Sequence, residues 1–345
     1  MVCFFSNSIC AQLIEVKPEN LGMSSERLER ITNLSKAYLN DYNIPGIVTI
    51  VSRKGKIVYY KAFGKRGVQD ETPLAKDDLF RIYSMTKPVT AVAIMQLYEQ
   101  GKFQLNDAVS KFLPELTDLK VLNEEGELVN TLSAMTMHHL LTHTAGFSYG
   151  FSDDPVDIQY ANANLFLSED LDDFANRVSK LPLKFQPGTR HQYSVAVDLT
   201  GLIIERLSGQ SLDKYFDENI FKPLGMKDTF FQVPTDKRDR FLTRYRYDYI
   251  KKHPVEYPST PKQAMSDFIN VSMFSGGGGL VSTAMDYMIF AEGLRNGGMY
   301  NGQRILSSKT IKFMTKNHFE SVIKPFEGGD MNFLKKSNSD GFGWG

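Results

Sequence analysis

The chain has 345 residues, of which 42% are hydrophobic and 23% charged, a composition typical of an ordinary globular protein. Its 40 basic and 40 acidic side chains balance, and no basic stripe is present, so nucleic acid and anionic membranes are poor candidate partners. No run approaches the roughly 18 apolar residues that span a bilayer. The length allows two lobes, each with its own core.

Residues 1–20 are a candidate remnant of a secretory signal peptide. The opening MVCFFSNSICAQ has small residues ahead of a polar start, but neither a basic region nor a full apolar core. We therefore expect a periplasmic or secreted protein, with a frayed terminus of a cytoplasmic protein as the alternative. The two cysteines of the chain, Cys3 and Cys10, both fall in this segment. A disulfide-stabilised fold and a four-cysteine zinc site are thereby excluded.

A helix and a β-hairpin are the first predicted elements. Ser24 or Ser25 can cap the helix, and its predicted inward face consists of Leu28, Ile31, Leu34, Ser35 and Tyr38. The helix ends before Pro45. Two β-rich runs follow, and the Lys54-Gly55 turn between them predicts a hairpin.

The remaining pattern predicts one folded domain over residues 21–345. Residues 86–269 are mostly helical segments and loops, whereas residues 21–85 and 270–345 have an α/β texture. We therefore predict an α/β (α+β) fold: an antiparallel sheet flanked by helices, formed by both ends of the chain, with an inserted all-helical lobe. Two late helices are predicted from a Thr283–Asp286 capping box and a Ser307-Ser308 cap.

The stretch GFSYG, residues 146–150, matches the G-x-S-x-G pattern of many esterase nucleophiles. That pattern requires a strand before the serine and a helix after it. Here a short helical segment precedes the serine, and a loop containing Pro155 follows it. We therefore interpret Ser148 as a loop serine.

Two further features could suggest a metal or phosphate site. His139 and His143 have the spacing of zinc ligands on a helix, but position 140 is leucine where H-E-x-x-H has glutamate. Helix-terminal histidines that bond the last carbonyls are the simpler interpretation. The glycine run 276–279 is not followed by Gly-Lys-Ser/Thr, so backbone permissiveness and close packing explain it better. We predict no metal and no cofactor.

The pattern S-x-x-K can bring a serine and a lysine onto one helical face. The lysine can then take the serine proton, provided that burial lowers the pKa of its amine. Three of the four occurrences have an unsuitable context, because one serine lies in a turn, one precedes a sequence that cannot continue a helix, and one reads as an N-cap. The four pairs are Ser84–Lys87, Ser211–Lys214, Ser259–Lys262 and Ser321–Lys324.

Ser84 has the suitable context. It follows the β-like run LFRIY and opens a long apolar helix closed by Gly101. Because Pro88 is tolerated only near a helix start, Ser84 must lie at the N-terminus, where backbone N–H groups favour developing negative charge. The apolar turns that follow would bury Lys87. A capping serine with a snorkelling lysine remains the alternative.

Several ordered blocks resemble the serine β-lactamase-related family, which comprises class C β-lactamases, D-alanyl-D-alanine carboxypeptidases and esterases of that fold. The resemblance begins with YSMTKP (residues 83–88) and extends from about residue 21 to the end of the chain. The other blocks are LNDAVSKFLPEL (105–116), HHLLTHTAGF (138–147), FQPGTRHQYSVAVDLTG (185–201), FKPLGMKDT (221–229) and GGGGLVSTAMD (276–286).

The resemblance implies roles for individual residues. Ser84 is similar to the family's acylated nucleophile, Lys87 to its base, and Tyr193 to the tyrosine that shuttles protons. It also implies that Val195 and the backbone of Gly277 and Gly278 contact substrate, together with Ser84.

The chain departs from the family pattern in two places. Val195 stands where lactamases and peptidases have asparagine in Tyr-x-Asn, and valine cannot bond the amide of such substrates. No third motif, Lys-Thr-Gly or a counterpart, follows Gly279. The chain stops at DGFGWG (340–345), so we expect a fragment that lacks the final strands and helix.

These observations predict a serine hydrolase that cleaves small carboxylic esters through an acyl-enzyme on Ser84. A D-alanyl-D-alanine carboxypeptidase or a β-lactamase acting on amides is one alternative. A catalytically inactive binding protein of the penicillin-binding type is another. The sequence does not indicate the oligomeric state or the physiological substrate.

Overall fold

A computed structural model describes residues 13–257 and 267–318. The predictions made for the signal-like opening with Cys3 and Cys10, for the block at 340–345, and for two of the S-x-x-K pairs lie outside the described residues. Those pairs are Ser259–Lys262 and Ser321–Lys324.

The described chain forms ten α-helical segments and ten short strands. The helices are α1 (Ser25–Asp41), α2 (Lys87–Glu99), α3 (Met137–Leu141), α4 (Pro155–Asn162), α5 (Leu171–Val178), α6 (Ala196–Ser208), α7 (Leu212–Phe216), α8 (Lys222–Leu224), α9 (Ala284–Arg295) and α10 (Ser308–Met314). The strands are β1 (Gly46–Arg53), β2 (Lys56–Gly64), β3 (Phe80–Arg81), β4 (Lys120–Leu122), β5 (Leu128–Asn130), β6 (Tyr245–Asp248), β7 (His253–Glu256), β8 (Val281–Ser282), β9 (Met299–Tyr300) and β10 (Gln303–Arg304). Each strand pairs antiparallel with one partner: β1 with β2, β3 with β8, β4 with β5, β6 with β7 and β9 with β10.

The predicted hairpin is confirmed as β1–β2. Its turn residues Lys54 and Gly55 both have positive φ, 51° and 73°, as the tight turns of two-residue hairpins require. Helix α1 packs on β2 and helix α9 packs on β1, so helices from both ends of the chain flank this antiparallel pair. The short β3–β8 pair likewise joins Phe80 to Ser282 across the helical insertion.

The first helix is confirmed, with Ser24 as its cap, because the Ser24 side chain accepts a hydrogen bond from the Arg27 backbone. The predicted inward face is confirmed in part: Ser35 is buried and Leu28 and Ile31 are partly buried, but Leu34 and Tyr38 are 59% and 44% exposed. Thr32, which was not predicted, is buried. Thr32 Oγ1 lies 2.9 Å from the phenolic oxygen of Tyr59 on β2. A polar contact to the sheet therefore sets the orientation of α1.

The folded chain also begins before residue 21, where we placed its start. Ile57 on β2 donates its backbone N–H to Ile14 O and accepts from Val16 N, at 3.0 and 2.9 Å. Leu13 is buried. These ladder bonds attach part of the predicted signal remnant to the sheet.

The core of the inserted lobe is α2, which is apolar around most of its circumference and buried from Val89 to Leu97 except for Gln96. It packs mainly against α6, whose buried residues run from Ala196 to Ile204. A helix of this kind belongs in a protein interior. The lobe is predominantly helical, but it also carries the β4–β5 and β6–β7 hairpins, which the sequence prediction lacked.

Both late helices begin at their predicted caps. Thr283 accepts from the Asp286 backbone at the start of α9, and Ser307 accepts from Thr310 at the start of α10. Within the described part of the chain, none of the helices has the length and apolar character needed to cross a bilayer.

Candidate active site

Ser84 lies where β3 passes into the buried helix α2. A single 3₁₀ turn, Tyr83–Thr86, connects them, and α2 begins at Lys87. Tyr83 has φ 42°, a left-handed conformation that is strained for a bulky residue. Ser84 is exposed, and neither helical segment uses a side-chain cap. The interpretation of Ser84 as a plain capping serine is therefore wrong.

Lys87 points into the protein and is 3% exposed. Its Nζ donates to Ser84 Oγ at 3.3 Å and to the backbone oxygen of Gly277 at 2.7 Å. The ammonium also lies 4.4 Å from the ring centroid of Tyr193 and 5.2 Å from that of Tyr149. The snorkelling alternative is wrong, because the amine is enclosed by two aromatic rings and a carbonyl.

Tyr193 reaches the same serine from the loop before α6. Its hydroxyl donates to Ser84 Oγ at 2.5 Å. The structure thus brings Lys87 and Tyr193 together at the hydroxyl oxygen of Ser84. Ser84 is an exposed residue, whereas Lys87 is buried. An alcohol flanked by two groups that can carry protons is an arrangement suited to nucleophilic catalysis.

The glycine loop at 275–279 supports the lysine. Gly277 accepts from Lys87, and its own N–H donates to Asp198 Oδ1 at 3.0 Å. Gly278 N–H donates to Ser275 O at 3.4 Å. With these groups occupied inside the protein, the geometry does not support the prediction that this backbone binds substrate.

Close packing, rather than backbone permissiveness, explains this glycine run. None of its residues has positive φ. A Cβ on Gly277 would lie 2.4 Å from Asp198 Oδ2 and 2.6 Å from the Tyr149 hydroxyl. The part of our sequence interpretation that invoked backbone freedom is therefore wrong.

Val195 has no exposed surface. It occupies the N-cap position of α6, and its N–H donates to Ser148 O at 3.5 Å. Because the side chain is part of the hydrophobic core, this geometry does not support the prediction that it contacts substrate. Its apolar character still means that no amide-binding group stands at this position.

Sequence reasoning missed a buried carboxylate behind Lys87. Asp198 on α6 is 0% exposed and accepts hydrogen bonds from Ser275 Oγ at 2.5 Å, Gly277 N at 3.0 Å and the Tyr149 hydroxyl at 3.1 Å. Burial raises the pKa of Asp198, although Lys87 and these donors act to lower it. Burial, followed by the charge of Asp198, raises the pKa of Tyr149 well above its usual value. The signal was an acidic residue inside the apolar run AVDLTGLII.

The two histidines considered as metal ligands have other partners. His139 Nδ1 accepts from the Thr136 backbone at 3.2 Å, and His143 Nδ1 accepts from the Ser194 backbone at 3.2 Å. The prediction that they bond terminal helix carbonyls is therefore wrong. Across residues 13–257 and 267–318, no three His, Cys, Asp or Glu side chains are arranged to hold a metal ion.

Ser148 is a structural serine. It has no exposed surface, its hydroxyl donates to Asp157 Oδ1, and it accepts from Gly150 N at 2.9 Å. Burial alone would raise the pKa of Asp157, but hydrogen bonds from Ser148, Ser152 and Lys184 hold it below its usual value. A buried alcohol committed to a carboxylate cannot attack a substrate, as the sequence context indicated.

A cavity of about 280 Å³ lies one contact away from the site, and none of Ser84, Lys87 and Tyr193 lines it. Phe166 in its wall stacks on Tyr149 at 6.2 Å, and Phe268 meets Tyr83 edge to face at 6.1 Å. None of the described residues that line it carries a charge. They are Phe166, Leu167, Ser168, Phe268, Asn270, Val271, Ser272, Met273, Ser275 and Gly279. A larger cavity of about 630 Å³ lies by α7 and α8 and likewise includes none of Ser84, Lys87 and Tyr193.

Comparison with known proteins agrees with this geometry. The Beta-lactamase family model matches residues 31–345. An uncharacterised protein of Mycobacterium tuberculosis is 36% identical over 276 residues, which cover 79% of this chain and 67% of that protein. Esterase EstB of Burkholderia gladioli is 34% identical over 60% of this chain and 52% of its own length. The solved structure of EstCE1, a hydrolase with promiscuous acyltransferase activity, superposes with a TM-score of 0.71 at 25% identity, covering 85% of this chain and 78% of EstCE1.

Proposed function

This chain belongs to the beta-lactamase family of serine hydrolases, and within that family we propose that it hydrolyses neutral carboxylic esters through an acyl-enzyme on Ser84. The observation that carries the proposal is the convergence of Lys87 Nζ and the Tyr193 hydroxyl on the exposed Ser84 oxygen, at 3.3 and 2.5 Å. The similarity to an esterase and to a hydrolase with acyltransferase activity supports acyl transfer as the reaction.

In the proposed acylation step, Lys87 must first release its ammonium proton, and it then takes the serine proton as Ser84 Oγ bonds to the acyl carbon. The Tyr193 hydroxyl then gives its proton to the alkoxy oxygen as the ester C–O bond breaks, and Lys87 returns a proton to Tyr193. Deacylation runs the same relay with water as the nucleophile, so that the carboxylic acid leaves and Ser84 regains its proton. Proton transfer by positioned side chains of this kind contributes about 10²- to 10⁴-fold to a rate.

The preference for neutral esters rests on the uncharged cavity beside the site. D-alanyl peptides and β-lactams carry a carboxylate, and recognition of a carboxylate calls for a cationic partner. The described walls of this cavity offer aromatic and aliphatic surface with a few hydroxyl and amide groups. Such a lining favours an alkyl or aryl acyl group. Val195, which stands where the family's amide-hydrolysing members have asparagine, offers no polar group to an amide.

A second candidate, a carboxypeptidase or β-lactamase, is favoured by one specific observation. A smaller cavity of about 180 Å³, bordered by Tyr83, is lined by Lys65, Arg66, Arg81 and Arg244. Each of these cations already has a partner: Lys65 pairs with Glu71, Arg66 pairs with Asp78, Arg81 donates to Leu242 O, and Arg244 donates to Tyr257 O. We therefore place this candidate second.

The test compares hydrolysis of p-nitrophenyl butyrate and of nitrocefin, with labelling of the protein by a fluorophosphonate. We expect ester hydrolysis and a covalent adduct on Ser84, both abolished by Ser84→Ala. Ser211→Ala is the matched control, because Ser211 also begins an S-x-x-K pair but its side chain caps nothing. Turnover of nitrocefin without ester hydrolysis would favour the second candidate, and absence of an adduct would favour an inactive binding protein.

A further inference from the structure

The buried carboxylate of Asp198 lies one hydrogen bond beyond the groups that hold Lys87. Its Oδ1 accepts from Gly277 N–H at 3.0 Å, and the carbonyl of the same Gly277 accepts from Lys87 Nζ at 2.7 Å. Its Oδ2 accepts from the Tyr149 hydroxyl, and the Tyr149 ring lies 5.2 Å from the same ammonium. Two separate paths thus connect Asp198 to one amine.

Both paths are stiff. Gly277 is packed so closely that a Cβ would lie 2.4 Å from Asp198 Oδ2. Tyr149 is stacked between Phe151 and Phe166, with ring centroids 5.3 and 6.2 Å away. Neither partner can shift without breaking a contact of the carboxylate, so the position of Asp198 fixes the positions of both.

The charge of Asp198 also matters for the lysine. A buried carboxylate is costly unless it is paired or fully hydrogen-bonded. Asp198 receives three hydrogen bonds, yet none of the three donors, Ser275, Gly277 and Tyr149, is cationic. Electrostatic attraction by Lys87 lowers the pKa of Asp198 against the larger effect of burial. Lys87 and Asp198 thus bond to opposite ends of the Gly277 residue, and the charge of Lys87 favours the ionised carboxylate.

We propose that Asp198 is a positioning residue for the chemistry at Ser84: it fixes the place of Lys87 through Gly277 and Tyr149 and supplies the negative charge that balances the amine. The part of this proposal that concerns chemistry at Ser84 rests on the proposed function. The structural link between Asp198 and Lys87 does not. Asp198 touches neither Ser84 nor Tyr193 among the contacts described, so it acts only through other residues.

Other ionisable groups face the same pair. Tyr193 and Tyr149 lie over the Lys87 amine, and the buried His143 is close enough for Lys87 to lower its pKa, after the larger effects of burial and His191. Tyr149 donates directly to Asp198, so a change at Asp198 reaches Tyr149 as well as Lys87.

Asp198→Asn is the decisive variant, because it keeps the shape and removes the charge. Its amide oxygen can still accept from Ser275 and Gly277. Loss of a nearby opposite charge shifts a titration by about one pH unit or more, so we expect the ¹⁵Nζ titration of Lys87 to move to lower pH. The rate at which fluorophosphonate labels Ser84 should depend on pH, and the part of that dependence set by Lys87 should move in the same direction as the Lys87 titration. The labelling rate at neutral pH should change at least tenfold.

Asp286→Asn is the matched control, because Asp286 is another buried aspartate, 6% exposed, bonded to Asp228 and Thr229 instead. It should leave the Lys87 titration unchanged. A folded Asp198→Asn protein with the wild-type titration and pH profile overturns the proposal. If wild type neither hydrolyses esters nor is labelled, the proposed function fails, while the NMR titration still tests the link to Lys87.

If Asp198→Asn does not fold, Ser275→Ala keeps the charge and removes one of the three bonds to the carboxylate. We then expect the rate of labelling to fall about three- to tenfold, the size of a net loss of roughly 1 kcal/mol in one hydrogen bond, with no movement of the pH limb. A folded Ser275→Ala protein with the wild-type rate overturns the positioning role.

Discussion

The phenolic oxygen of Tyr193 lies 2.5 Å from the hydroxyl oxygen of Ser84, although 109 positions separate the two residues in the chain. The contact joins the loop before α6 to the 3₁₀ turn before α2. The packing of those two helices against each other holds the two oxygens in place. A catalytic contact of this kind depends on the core of the lobe as much as on the two residues themselves.

Tyr193→Phe should therefore remove proton transfer and leave the fold intact. The ring can keep its contacts with Lys87 and with His143, whose ring centroid lies 5.0 Å away. We expect kcat for p-nitrophenyl esters to fall by about 10²- to 10⁴-fold, with Tm nearly unchanged. Tyr215→Phe is the control, since the Tyr215 hydroxyl oxygen is buried without a partner within the described chain. This substitution should not reduce activity. An active Tyr193→Phe enzyme would exclude the proposed relay.

Ser148→Ala should have the opposite profile, with lower stability and retained chemistry. The substitution removes the hydroxyl that bridges Asp157 and the Gly150 N–H, and a buried polar group left without a partner costs about 1–3 kcal/mol. We expect a lower denaturation midpoint in urea, together with full fluorophosphonate labelling of Ser84. Loss of labelling from a folded Ser148→Ala protein would reinstate GFSYG as a candidate nucleophile motif.

Gly277→Ala should damage the site by steric overlap. The added Cβ would lie 2.4 Å from Asp198 Oδ2 and 2.6 Å from the Tyr149 hydroxyl, and overpacking of this kind costs typically about 1–3 kcal/mol. Because the same residue holds Lys87, we expect ester hydrolysis to fall at least tenfold. Gly293→Ala is the control: its Cβ would meet side chains at 3.6 and 3.7 Å, within helix α9, so it should be neutral or stabilising by up to about 1 kcal/mol. Equal effects of the two substitutions would contradict the role given to Gly277.

The sequence predicted the local half of the site better than the long-range half. Ser84 and Lys87 stand one helical turn apart, so spacing and the apolar turns after Pro88 were enough to predict an enclosed lysine. Tyr193 required the resemblance to a family, because no local rule connects it with Ser84. The contact of Asp198 with Gly277 spans 79 positions, and only the packing of α6 against the glycine loop creates it.

The errors have a common physical origin. Leu34 and Tyr38 fitted an inward helical face by periodicity, but α1 is oriented by the Thr32–Tyr59 hydrogen bond and leaves both exposed. Val195 was assigned to the substrate surface from its place in a motif, yet the start of α6 directs it inward. In each case, tertiary contacts that no pattern in the sequence encodes decided the orientation of the side chain.

Asp286 should make the stability of the protein depend on pH in the mildly acidic range. Burial raises its pKa from 3.8 to about 6, despite hydrogen bonds from Asp228 N–H and Thr229. The folded protein therefore binds this proton more tightly than the unfolded chain. The contribution of Asp286 to the free energy of unfolding is then most favourable below about pH 4, declines between about pH 4 and 6, and stays low above that. A rise in the pKa of Asp286 from 3.8 to about 6 corresponds to a change of roughly 3 kcal/mol in the free energy of unfolding.

Asp286→Asn isolates this contribution, because an amide oxygen can accept both hydrogen bonds and does not ionise. Urea denaturation of wild type and Asp286→Asn should give similar free energies of unfolding at pH 4. At pH 8, the variant should be the more stable protein, by an amount of up to about 3 kcal/mol. Asp157 provides the contrast, since its hydrogen bonds and ion pair hold its pKa low, so Asp157→Asn should lose stability at pH 8. A gap between wild type and Asp286→Asn that does not change with pH would show that Asp286 does not titrate in this range.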